Sequence, residues 1–174
     1  MAPPTAAPAP QRSGYEIHLD LGSIQGESES SLHTDEIEIL SFSWGATNSA
    51  VRSAAGSPKG GKPTVSEITI TKEVDKASAQ LFSACVNSTL IKTATISWSK
   101  STGGGKPEDY MVYTLTNVYV TSVQSSSSKD QGPQLGTESV TLNFQKISID
   151  YKVQMGSGLL VSGSSAAYDL GAGK

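Results

Sequence analysis

Gly22-Ser-Ile-Gln-Gly26-Glu27-Ser28, then His33, then Ile37-Glu-Ile-Leu-Ser-Phe-Ser-Trp44 is the stretch from which the fold is read. Gly22 and Gly26 flank a tight turn, and Glu27 and Ser28 complete the motif with side chains suited to caps and turn locks. In the strand that follows, Ile37 and Ile39 share one face, whereas Leu40, Phe42 and Trp44 fall on the other parity. A one-residue slip moves half of the apolar side chains to the wrong face. A β-bulge or strong bend near Leu40 repairs this; the alternative is a strand buried on both faces.

Working outward, Tyr15, Ile17, Leu19 and Leu21 alternate with Glu16, His18 and Asp20, the period-two mark of a strand with one dry face. This places His18 on the wet face, as a surface residue rather than a metal ligand. Residues 47–63, rich in Ser, Ala, Gly, Pro and Lys, predict a long loop without structure of its own, suited to meeting a partner. A strand is expected over 64–72. The period then changes: Ala77, Leu81, Ala84 and Cys85 share a helical face with Phe82 and Val86 beside it, Ser78 or Asp75 able to cap the start and Asn87 the end.

Strands resume over about 90–99 and 110–124, joined by a Gly103-Gly-Gly-Lys106 hairpin turn. The second is apolar on both parities: Met111, Tyr113, Leu115 and Tyr119 on one, Val112, Val118 and Val120 on the other. Such a strand needs a second cover, either the helix or a neighbouring subunit. After a Ser-rich loop, the 137–151 strand slips phase between Phe144 and Ile147, which predicts a bulge near Gln145 and Lys146. Two bulged strands suit a strongly bent barrel better than a flat sandwich.

The 174 residues make one domain of ordinary size, divided into a Pro/Ala-rich arm (1–14), a barrel domain (15–151) and a Gly/Ser-rich tail (152–174). Charged residues are 17% of the chain and the net charge is −3, with Lys and Arg spread thinly, which excludes the clustered cations of a nucleic-acid binder. The single cysteine, Cys85, permits no intrachain disulfide and reads as a small buried hydrophobe. The N-terminus lacks a Sec-type signal, and no run reaches the ~20 apolar residues of a membrane helix. Synthesis in the cytoplasm and no membrane insertion are therefore expected.

Candidate chemistry is sparse. Two histidines and one cysteine leave little for catalysis. A Glu27, Ser28 and His33 constellation reads as turn locks, and no serine lies in a nucleophile elbow. Asp35, Glu36 and Glu38 read as a solvated strand end, because no calcium-loop motif accompanies them. Gly103-Gly-Gly-Lys106 lacks phosphate-loop spacing and joins two strands. No enzyme, cofactor or metal site is expected.

From Tyr15 to Tyr151 the ordered blocks resemble the Hcp (haemolysin-coregulated protein) family of type VI secretion. The blocks are the Gly-x-x-x-Gly-Glu-Ser turn with His33, the Ile37–Trp44 strand, Ile68-Thr-Ile-Thr-Lys-Glu-Val-Asp-Lys-Ala-Ser78, Tyr113-Thr-Leu-Thr-Asn-Val-Tyr-Val120 and Glu138-Ser-Val-Thr-Leu-Asn-Phe144-Gln-Lys-Ile147. Two departures stand out: Ala79 where the family usually has Pro after the capping Ser, and Asn87-Ser88 where it usually ends the helix with Gly.

The resemblance implies a mainly β fold: an antiparallel β-barrel with one short flanking helix and a long protruding loop after the second strand. It further implies hexameric rings stacked head-to-tail into a tube that carries effectors in its lumen. Partners would be other copies, a contractile sheath, a spike and effector proteins; location would be cytoplasmic on assembly and extracellular after export. Within that picture Arg52, Lys59 and Lys62 are ring-stacking candidates, and Val112, Val118 and Val120 subunit-interface candidates. The Thr/Ser faces of strands near 66–72, 93–99 and 114–122 are candidates for the lumen wall, and the tail is an adaptor or plug too short to fold as a catalytic domain. Two other readings stay open, a monomeric carbohydrate-binding-like module and the tube protein of a related contractile injection system. Trp44 and Trp98 argue against the first, because both fall on faces patterned as core rather than exposed for sugar stacking.

Overall fold

The computed structural model describes residues 14–49, 51–52, 58–102, 106–128 and 136–173. The predicted N-terminal arm lies outside them, save Gly14. An antiparallel sheet runs in the order β2-β1-β9-β10-β11-β8-β3, where β1 is Tyr15–Asp20, β2 Ile37–Glu38, β3 Ser41–Ser43, β8 Ile68–Glu73, β9 Ile91–Ser101, β10 Pro107–Ser126 and β11 Thr137–Gln154. Inward parity is mostly aliphatic: Leu19, Ile37, Ile68, Ile70, Ile96, Leu115, Val118 and Leu142 are fully buried. Each such side chain contributes roughly 1.5–3 kcal/mol.

The slip near Leu40 is a change of partner rather than a simple bulge. Ile39 N–H donates to Ile17 O on β1 at 2.9 Å, and the next residue, Leu40, donates to Thr71 O on β8 at 2.7 Å. Two successive peptides thus join the two sheet edges and curl the sheet toward a barrel. The slip near Gln145 also exists, but as a matched pair of slips. Thr116 pairs with Lys146 and Val118 with Phe144 in unbroken register, while both strands shift phase between them. Asn117 takes a left-handed φ of 53°, and its Nδ2 donates to Gln145 Oε1 at 2.7 Å. The true bulges on β10 fall elsewhere, between Asp109 and Met111 against β9 and between Val120 and Ser122 against β11.

Helix α1 (Ser78–Val86) packs on β10, burying Leu81 and Ala84 with Ala77 before them; Cys85 is half-buried, and Phe82 and Val86 face outward. Neither Ser78 nor Asp75 is its N-cap residue, because Ala77 occupies that position. Asp75 instead accepts the Ala77 N–H at 2.8 Å, and Ser78 Oγ accepts the Asp75 N–H at 3.1 Å. Asn87 does stand at the C-terminal cap.

The 47–63 segment, expected to be a loop, and the Gly/Ser-rich tail both contribute paired strands. β4 (Ala46–Asn48) pairs with β7 (Pro63–Val65), and β5 (Val51–Arg52) with β6 (Pro58–Lys59), which makes the 47–63 region a two-rung arm. In the tail, β12 (Leu160–Asp169) pairs with β11 from Lys146 to Gln154, on the edge that β8 occupies over 137–142.

Candidate assembly surfaces

The motif turn is a structural lock. Gly22 has φ +68°, a left-handed conformation that favours glycine, and its N–H is held by Asp20 Oδ1 at 2.7 Å. Gly26 is needed for a different reason: a Cβ there would collide with the backbone of Glu36 and Ile37. Glu27 Oε1 accepts the Lys76 N–H at 2.9 Å, tying the turn to the helix approach, and Ser28 is buried with its Oγ accepting the Ser30 N–H.

This turn covers the outer face of β1 and β9, and it overturns the expectation that His18 is exposed. His18 is 1% exposed and stacks on His33 at 4.6 Å between ring centroids. His33 Nε2 lies 2.8 Å from Asp109 Oδ1, and Nδ1 lies 3.0 Å from Glu36 Oε2. Burial opposes charge on His33, but bonding to the two carboxylates outweighs it and raises the pKa to about 9. The acidic strand end is therefore partly engaged: Glu36 holds His33 and Asp35 holds Lys76 Nζ at 2.7 Å. His33 bonds neither Glu27 nor Ser28, so the imagined triad is not assembled.

Sequence reading missed a second buried network. Lys72, fully buried, lies 2.7 Å from Asp75 and 3.1 Å from Glu138, the residue directly opposite it on β11. Burial would push the Glu138 carboxyl up, yet hydrogen bonds from Ser78, Ser125 and Lys72 hold it below its ordinary value. The network fastens the helix start to the sheet. A signal was available, since Lys72 shares parity with Ile68 and Ile70, and Glu138 with Val140 and Leu142.

Of the stacking candidates, Arg52 and Lys59 sit on the paired β5 and β6 strands of the arm, and Lys62 is exposed beside β7. Of the interface candidates, Val118 and Val120 are buried in the chain's own core, and Val112 is half-buried. On β10 Tyr119 is exposed, and more apolar surface is left uncovered on other elements. Along the β11–β12 hairpin, Tyr151, Val153, Met155, Leu159 and Val161 are exposed, with Val153 and Val161 a cross-strand pair. On the outer face of α1, Phe82 and Val86 are each 60% exposed. The tryptophans take no part in this: Trp44 and Trp98 pack with Phe42 and Tyr113 as a half-buried aromatic cluster against the core.

A cleft of about 440 Å³ lies between the Leu21–Ile24 bridge, α1 and the start of β9. Lys92 is the sole ionisable side chain in its lining, so no acid–base pair converges there. Among the described residues no group of His, Cys, Asp and Glu side chains could hold a metal ion, and no helix is long and apolar enough to cross a membrane.

Residues 18–151 match the family described as "Type VI secretion system effector, Hcp". The chain is 33% identical over 143 residues to the Pseudomonas aeruginosa protein hcp1, covering 82% of this chain and 86% of that one. The crystal structure of Hcp1 from Salmonella typhimurium is similar with a TM-score of 0.73 and 31% identity, over 92% of this chain and 97% of that one. A further solved structure, of a type six secretion system protein, gives a TM-score of 0.81 at 25% identity, over 92% and 98%.

Proposed function

The chain belongs to the Hcp family of type VI secretion, a family of structural tube proteins, and we propose that it assembles into hexameric rings that stack head-to-tail and carry effectors in the lumen. One observation supports this above the others: two separate apolar patches, on the β11–β12 hairpin and on the outer face of α1, stay exposed. Scattered exposed apolar residues are ordinary, but contiguous ones on a projecting hairpin mark a contact surface. Beyond Tyr151, where pairing with β10 ends, the hairpin has only two strands, an arrangement marginal in water on its own, so its tip gains from a neighbour's cover. Different patches on different elements favour a heterologous contact, the kind that closes a ring. Val112 can join that contact from the outside, with Val118 and Val120 bracing β10 from within. The arm bearing Arg52, Lys59 and Lys62 is the proposed bridge between rings, and sheath, spike and effectors are the proposed further partners. Assembly in the cytoplasm and export through the apparatus follow from the same reading.

Light scattering after size exclusion, with negative-stain images of the peak, tests it. The expected result is a six-subunit mass with annular particles, lost when Val153→Asp and Val161→Asp are combined, with the circular dichroism spectrum unchanged. A wild-type chain that stays monomeric at high concentration overturns ring formation and favours an isolated binding module.

A further inference from the structure

The His18–His33 stack has a geometry that neither ring needs for packing alone. His33 meets a carboxylate at each nitrogen, Asp109 from β10 and Glu36 from the approach to β2, so it carries its proton as an imidazolium. His18, stacked at 4.6 Å with an interplanar angle of 20°, has no partner at its buried Nδ1. Around it stand Glu16 on its own strand, Glu36 just before β2, Glu38 on β2, and His33 from the turn, with the buried Ser97 directly opposite on β9. Glu38 pairs with His18 across the β1–β2 ladder.

From this cluster we propose that the two histidines form a proton-operated latch on the 26–36 turn: the turn is closed while the stack holds one charge and opens when His18 takes a second. The physics is local. A second imidazolium would sit against the first with its Nδ1 shielded from water, and Glu36, the acidic neighbour the two rings share, is already paired with His33. Burial, then the His33 charge, holds the His18 pKa below 6.5, against the pull of Glu16, Glu36 and Glu38. The cheapest relief is separation of the rings. Gly26 N–H to Asp35 O, Ser28 N–H to Glu36 O and Asp35 N–H to Ser28 O are the bonds that separation breaks. The latch does not depend on ring assembly.

Amide hydrogen exchange on the full chain between about pH 7.5 and pH 5, corrected for the intrinsic rate, reads this directly. In the wild type, protection at Gly26, Ser28 and Asp35 should fall by up to about tenfold per pH unit below about 6.5, the limit for uptake of one proton, while amides of the β10–β11 ladder keep theirs. In His18→Phe, which stacks but cannot titrate, the turn should stay protected; His18→Gln serves if the Phe variant does not fold. Equal loss in wild type and variant, loss at the β10–β11 ladder as well, or no loss in the wild type each overturns the latch.

Discussion

At Gly26 the absence of one methyl group lets two backbone segments pass in contact, and at Gly22 it permits a left-handed φ. Gly26→Ala should therefore cost the more of the two, about 2–4 kcal/mol against about 1 kcal/mol for Gly22→Ala, measured by urea unfolding. His33 gives these residues a pH signature. Its folded pKa of about 9 lies above the unfolded 6.5, so its contribution is fully present below 6.5 and is lost as pH rises through 9. His33→Gln should remove that alkaline slope and cost on the order of 2 kcal/mol at pH 6.5, read from unfolding midpoints across pH. His33 was legible as part of a turn motif. His18 was misread, because alternation tells which side of a strand is polar but not whether a distant turn will fold over it.

Among the elements, β1, β8 and β9 were legible from simple alternation, and the two long strands from their apolar content despite a doubled and a slipped parity. The slips at Leu40 and at Gln145–Lys146 were legible as disruptions, although what resolves them was not. An exchange of sheet partner and a matched pair of slips leave the same one-residue scar as a bulge. The arm and β12 escaped because small residues and Gly blunt the alternation. On β12 the register itself breaks, Tyr151 pairing with Ser164 but Lys152 with Ser162, which leaves Gly163 over. The Lys72–Glu138 rung shows the reverse case, charge at inward parity on adjacent strands, readable in the sequence only by someone who trusts the pattern. Lys72→Met should destabilise the fold by about 3 kcal/mol by stranding Glu138 and Asp75, and adding Glu138→Leu should recover part of the loss in a double-mutant cycle.

For the whole molecule, the arm and the barrel are separable in consequence. The arm is closed at its base by Ser66 N–H donating to Gly45 O and Gly45 N–H donating to Ser66 Oγ, at 2.8 and 2.9 Å. Replacing residues 47–64 by a short glycine link should leave the barrel's unfolding free energy within about 1 kcal/mol. The same change should abolish stacking of rings, seen as discrete annuli in place of longer tubes on electron micrographs. The closure at Ile39 and Leu40 has a further consequence, one of timing. β1 and β8 have near partners in β2 and β3, but their long neighbours arrive only at residues 95–100 and 137–142, and the sheet between the two edges is complete only after both of those ladders exist. During synthesis the first third of the chain must therefore wait for the last. Its folding should be slow and all-or-none, as expected when pairings are this distant in sequence, and a nascent chain truncated before Val140 would have no barrel to close.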